Sequence, residues 1–194
     1  MIEKLTKWYV LLPYLNNYYR HLLLRDFEEE LKKPHQTLTK YIGALKKDKV
    51  LIEVKRKKNS TYSLNLENWL TYEYISISEK IRLKMSIDQS GILRRLYELL
   101  CKSFKTNNFL VFGSFAKNLA GNDIDLLIVG KVDEKVGEVM KNFNSAYGIK
   151  LHRIQVNRIE DINDAMSREI YNKHIILNSF DFFLKFFWVK YGKA

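Results

Sequence analysis

Apolar positions in the first third of the chain recur with helical spacing, then change to the alternation of a strand. Leu38, Ile42 and Leu45 fall at i, i+4, i+7 and predict an amphipathic helix from Pro34 to about Lys47, with Tyr41 beside the stripe. Pro34 suits the first turn of that helix, since its missing N–H would be unpaired there anyway. Upstream, Asp26 can cap a short helix to about Leu31, with Glu29 three residues on in capping-box spacing. An earlier helix is expected over 4–16, kinked or ended by Pro13. After the Pro34 helix, Ile52 and Val54 alternate with Glu53 and Lys55 as in a strand. A polar tip from Arg56 to Ser60 then leads to a second short strand, Thr61 to Leu64. Segments 75–86 and 91–104 read as helices separated at Ser90-Gly91, the second with Leu93, Leu96, Tyr97 and Leu100 on one face.

The C-terminal half changes period again. Phe109 to Phe112 is an apolar strand ending in Gly113-Ser114, followed by a helical turn from Phe115 to Leu119 and a Gly121-Asn122 turn. Asp123 to Val129 is the next strand. Its alternation puts Asp123, Asp125, Leu127 and Val129 on one face and Ile124, Leu126 and Ile128 on the other. A helix over 133–147, a strand over 149–156 and a short strand over 175–177 follow, and Asn178-Ser179 is expected to cap a last segment. That segment holds Phe180, Phe182, Phe183, Phe186, Phe187, Trp188 and Tyr191 and is apolar on several faces. Packing within the chain uses part of these rings; the remainder offers a homodimer or protein-partner interface.

Composition narrows the classes. With 194 residues the chain can bury one large core or two small ones. No apolar run is long enough for a membrane span, and the N-terminus lacks a signal-peptide pattern. The single cysteine, Cys101, excludes an internal disulfide framework and fits a reducing, cytoplasmic setting. One Cys and four scattered His exclude a Cys/His zinc cluster. The net charge is +11, and it is concentrated. Residues 32–58 carry ten basic side chains (Lys32, Lys33, Lys40, Lys46, Lys47, Lys49, Lys55, Arg56, Lys57, Lys58) against Asp48 and Glu53, for +8. A solvated charged face is the ordinary reading of a Lys-rich stretch, and concentration in 27 residues makes nucleic acid a serious alternative.

Helix, turn, helix and basic-tipped hairpin, carried by QTLTKYIGALKKDKVLIEVKRKKNSTYSLN, resemble the winged helix-turn-helix family over residues 1–66. The resemblance implies duplex DNA as partner. The second helix, with Gln36, Thr37, Thr39, Lys40 and Lys47 on its polar faces, would enter the major groove, and Arg56, Lys57 and Lys58 would touch the backbone. A winged helix used only for protein contact is the competing expectation.

Two carboxylates side by side at the end of an apolar strand repel each other, and folding gains nothing evident from them. A divalent cation reverses the sign, since hard Mg²⁺ takes carboxylate oxygens and leaves positions for phosphate. Backbone N–H groups around Gly113-Ser114 can hold phosphate oxygens, with glycine allowing close approach. Gly113-Ser114, Ala116-Lys117 and Asp123-Ile-Asp125 together resemble the DNA polymerase β-like nucleotidyltransferase superfamily, in its minimal nucleotidyltransferase group, over about residues 90–190. The resemblance implies an NTP substrate, Mg²⁺ (or Mn²⁺) on Asp123 and Asp125, Gly113 and Ser114 against the triphosphate with Lys117 assisting, and often a HEPN-domain partner. Asn118 and Asn122 depart from the family's usual Gly and Ser, and the spacing is about two residues short. The third carboxylate of active members is absent from the 149–156 strand: His152 or Arg153 falls at its place, and Glu160 and Asp161 lie beyond. His152 is the candidate substitute general base.

The expected architecture is α/β (α+β): a winged helix-turn-helix over 1–66, a helical connector over 67–89, and a polymerase β-like nucleotidyltransferase fold with a mixed sheet over 90–194. Two functions follow. One is a DNA-binding enzyme transferring NMP from an NTP to a hydroxyl. The other is a winged-helix transcriptional regulator whose weak or inactive nucleotidyltransferase domain senses nucleotide or mediates assembly.

Overall fold

The computed structural model describes residues 6–56, 59–104, 106–131 and 134–192. The chain divides into two compact units, residues 1–81 with 187–194, and residues 82–186.

The first unit opens with a 3-10 helix, Tyr9–Tyr14, in place of the longer helix expected there. Pro13 lies inside it and donates no backbone hydrogen bond. Strand β1 (Leu22–Leu23), absent from the sequence reading, leads into α1 (Leu24–Leu31) and α2 (His35–Lys47). Pairing of β1 with Tyr62 and Thr61 holds Leu23 extended, so Asp26 is not the N-cap. It sits three positions in, and its carboxylate accepts from the Leu23 N–H at 2.7 Å. Strands β2 (Leu51–Arg56) and β3 (Asn59–Leu64) complete an antiparallel sheet of order β1-β3-β2. Leu38, Ile42 and Leu45 form the buried stripe of α2, as their spacing predicts. Leu51 pairs with Leu64 and both are buried, while Ile52, next along β2, points outward and is 45% exposed and Val54 is half-buried.

Asp48, just past α2, accepts from Lys7 Nζ at 2.7 Å and from the hydroxyl of Tyr74, on α3 (Trp69–Gln89), at 3.0 Å. The Lys7 ammonium holds the Asp48 carboxyl below its ordinary value of 3.8. The stabilisation is therefore complete above that value and is lost as pH falls through the lower folded one. Asp48→Asn should lower the thermal midpoint at neutral pH, by the equivalent of about 1 kcal/mol. The difference from wild type should fade in acid, which circular-dichroism melts across the range would show.

In the second unit, Ser90 caps α4 (Gly91–Ser103), its hydroxyl accepting from the Leu93 N–H at 3.3 Å. Then come β4 (Asn108–Phe112), α5 (Gly113–Asn118), β5 (Asp123–Val129), α6 (Glu134–Tyr147), β6 (Lys150–Val156), a 3-10 turn at Ile159–Asp161, α7 (Asp164–Asn172), β7 (His174–Ile176) and the start of α8 (Phe180–Tyr191). The sheet is mixed, in order β6-β5-β4-β7. β4 is antiparallel to β5 and β7, while α6 supplies the crossover that makes β6 parallel to β5. Phe109, Val111, Ile124, Leu126 and Ile128 form one core with Leu93, Leu96 and Leu100 of α4 and Val136, Met140 and Phe143 of α6. Leu127 and Val129 on the other face are buried as well, so on the Asp123 face only the start of β5 reaches solvent.

The helix expected to begin at Glu160 and Asp161 starts later: these two lie in the 3-10 turn and α7 begins at Asp164 behind the cap Asn163, while Asn178 does not cap α8. Its side chain accepts from the Phe109 N–H at 2.7 Å and donates to the Asn107 carbonyl at 2.8 Å, tying down β4. In the terminal aromatic segment Phe183 and Phe187 are fully buried and the other rings are half-buried. Trp188 meets the rings of Tyr18 and Tyr72, both at 5.4 Å between centroids. Among the described residues no helix is long and apolar enough to cross a membrane.

Candidate functional site

The site is built where β5 begins. Alternation puts the exposed Asp123 (side chain 67% exposed) and the half-buried Asp125 on one face, with buried Ile124 between them. On one flank, Phe112 of β4 pairs with Asp125. The next residue, Gly113, has a φ of +75°, and a Cβ there would collide with the Asp125 carboxylate. Glycine at 113 thus serves two needs, a left-handed turn and room for that carboxylate.

The turn's donors differ from those expected. The Gly113 N–H is already given to the Lys173 carbonyl at 3.1 Å, so it is not available to a phosphate. The first-turn N–H groups of Ser114 and Phe115 have no intrahelical partner by the geometry of a helix start. Ser114 is exposed, and so is Lys117 one turn on. Asn118 and Asn122 do not provide the left-handed positions of the connection to β5; Leu119 (φ +53°) and Gly121 (φ +113°) do. Asn122 instead accepts from the Lys150 N–H at 2.6 Å.

On the other flank, parallel pairing sets Lys150 beside Asp123 and His152 beside Asp125. His152 Nε2 lies 3.6 Å from Asp123 Oδ1. Arg153 belongs to the opposite face, its guanidinium lying over Gly137 of α6. His152 is therefore the residue standing where the third acid was sought. Glu160 and Asp161 follow Val156, whose partner is Val129 at the far end of β5, some 13 Å from Asp125 at about 3.3 Å per residue. Asp161 is also engaged locally, accepting from the Arg158 N–H and guanidinium at 3.1 Å each. Neither acid completes the pair. Among the described residues no cluster of three or more His, Cys, Asp or Glu forms.

Sequence reasoning missed Lys150, though it alternates with His152 as Asp123 does with Asp125. It also missed the anchor of the turn, buried His174, which pairs with Phe112 and bonds through Nδ1 to the Tyr171 carbonyl at 2.9 Å. No local pattern announces a partner sixty residues away.

In the first unit Gln36, Thr39, Lys40 and Lys47 are exposed on α2 and Thr37 is half-buried. The Thr39 hydroxyl donates to the His35 carbonyl at 3.0 Å, and Lys46 is committed to Glu53. The Arg56 side chain, Lys57 and Lys58 lie outside the described residues.

No curated protein and no solved structure matches the chain. The family model described as Nucleotidyltransferase domain matches residues 93–190, from α4 into α8, so it contains the Gly113 turn and both aspartates. A match over half of the chain, laid on this strand–turn–strand unit, places the protein in the nucleotidyltransferase domain family.

Proposed function

We propose that the protein transfers a nucleoside monophosphate from an NTP to a hydroxyl acceptor at the β5 end. The observation that carries this reading is the packing of the Asp125 carboxylate into the space that Gly113 leaves, with Asp123 on the same face. The donor set fits one hard cation shared with phosphate, Mg²⁺ or Mn²⁺ on Asp123 and Asp125, rather than a cage made by protein alone. Such an ion neutralises charge on the transferring phosphoryl group. The chain's own groups do the rest. The N–H groups of Ser114 and Phe115 and the Lys117 ammonium hold phosphate oxygens, and His152 takes the acceptor's proton. Incubation with radiolabelled NTPs and Mg²⁺ tests this: label should appear in an acceptor with wild type and not with Asp125→Asn.

A second reading is favoured by one feature, the imidazole of His152 where an active member would carry a carboxylate. In it the domain binds nucleotide to regulate or assemble, and transfer is slow.

For the first unit we propose a winged helix that binds duplex DNA. The order helix, β1, α1, α2, hairpin and the sheet order β1-β3-β2 support it, as does the +8 charge over 32–58. Replacing Lys40 and Lys47 with Ala should weaken binding to all sequences alike. Each lost phosphate contact should flatten the log K against log salt slope by roughly 0.9. Gln36→Ala or Thr37→Ala should instead change sequence preference. Unchanged affinity and slope in every variant would remove DNA from the account.

A further inference from the structure

Folding leaves five large hydrophobic side chains well exposed among the described residues, and two of them, Tyr19 and Ile52, line one cavity of the first unit. Its volume is about 740 Å³, within the range that takes a single small molecule. One wall is the outer face of the hairpin, where Ile52 pairs with Ser63. The other is the Tyr18–His21 segment that leads into β1, and Leu66 and Glu67, just past β3, complete the rim. Both walls are held from behind. Tyr18 is buried with its ring 5.4 Å from that of Trp188, and Asn17 Oδ1 accepts from the Tyr19 N–H at 3.0 Å. The chain carries a net +11, yet no lysine or arginine lines this cavity, and its one carboxylate is that of Glu67. Glu67 is exposed and makes no ion pair among the described residues. Tyrosine rings present the negative face of their quadrupole, so ring and carboxylate favour the same sign of guest.

We infer that this cavity binds a small organic cation, an amine or quaternary ammonium on an apolar body. The charged head is shared by the Glu67 carboxylate and the Tyr19 ring, and the body covers Ile52 and Leu66. A metal cation does not suit the site, because Mg²⁺ and Ca²⁺ need several oxygen ligands and one carboxylate stands here. An alkylated ammonium is weakly hydrated by comparison, so it enters an apolar cleft at lower cost and gains from the aromatic face. An anion would meet Glu67 with no lysine or arginine in the lining to offset it. The site belongs to the first unit alone, and its occupancy does not depend on nucleotide transfer.

The test titrates benzyltrimethylammonium into the full chain and follows backbone amide shifts by NMR. Benzyl alcohol, with the same ring and no charge, and benzoate, with the opposite charge, are titrated alongside. Benzyltrimethylammonium should bind with a Kd of about a millimolar or tighter, and the largest shifts should fall on residues 18–21 and 63–67. Benzyl alcohol should bind at least about fivefold more weakly, and benzoate should not bind. Glu67→Gln and Tyr19→Ala should each weaken the cation about five- to tenfold, whereas Tyr19→Phe keeps the ring and should keep the affinity. Added salt should weaken binding to wild type and change it little in Glu67→Gln. Tyr19 and Glu67 are exposed, so the variants should melt with wild type; if Tyr19→Ala melts early, Glu67→Gln decides. No binding of the cation, equal affinity for benzyl alcohol, or an affinity unmoved by Glu67→Gln would each overturn the proposal.

Discussion

Gly113→Ala is expected to cost the protein both stability and nucleotide binding. A φ of +75° is strained for any residue with a Cβ, at roughly 1–3 kcal/mol. The added methyl also occupies the space of the Asp125 carboxylate, which must move or force the turn open. Gly121→Ala is the matched control. Its φ of +113° is also unfavourable, but a Cβ there meets nothing within 4 Å. Both variants should therefore lose stability in denaturant titrations, while only Gly113→Ala should lose NTP affinity. Equal NTP affinity in wild type and Gly113→Ala would show that the turn and Asp125 do not act as one unit.

The second large effect concerns the missing acid. A positioned base is worth about 10²–10⁴-fold in rate, and an imidazole on this flank adds no anionic oxygen beside the aspartate pair. Nucleotide binding should accordingly outlast catalysis, with measurable NTP affinity and slow transfer by wild type. His152→Asp restores a carboxylate in register with Asp125 and should raise transfer, by as much as about a hundredfold within that range. His152→Ala should not raise it. Single-turnover measurements of labelled product separate these outcomes from changes in NTP affinity. Rapid transfer by wild type, indifferent to both changes, would mean that another group takes the proton. Glu160 and Asp161 are excluded from that role by their place at the far end of the sheet.

Much of this site could be read before the fold was known, because its parts are local. Period-two alternation set Asp123 and Asp125 together, and an apolar strand running into Gly113-Ser114 marked the turn. What escaped was non-local. The pairing of Leu22 and Leu23 with the hairpin displaced Asp26 from the cap, and the pairing of Leu51 with Leu64 turned Ile52 outward. The Lys173 carbonyl consumed a donor that the sequence left free for phosphate. Asn178, next to Ser179 at the start of a helix, looked like a cap but was taken by strand β4. Each of these residues had two plausible partners, and a distant backbone group decided between them. Lys150 escaped for a different reason: a lysine at the start of an edge strand carries no signal until the parallel register sets it beside Asp123.

In the proposed function Asp123 and Asp125 form a metal-dependent nucleotide site. Isothermal calorimetry of NTP binding, with and without Mg²⁺, on wild type and on the variant with both residues changed to Asn, tests it most directly. Wild type should bind NTP only when Mg²⁺ is present, and the double variant should show no Mg²⁺-dependent binding. Its melting temperature should hold or rise, because removing two like charges relieves their repulsion. The same NTP affinity in both proteins, with the same response to Mg²⁺, would contradict the assignment.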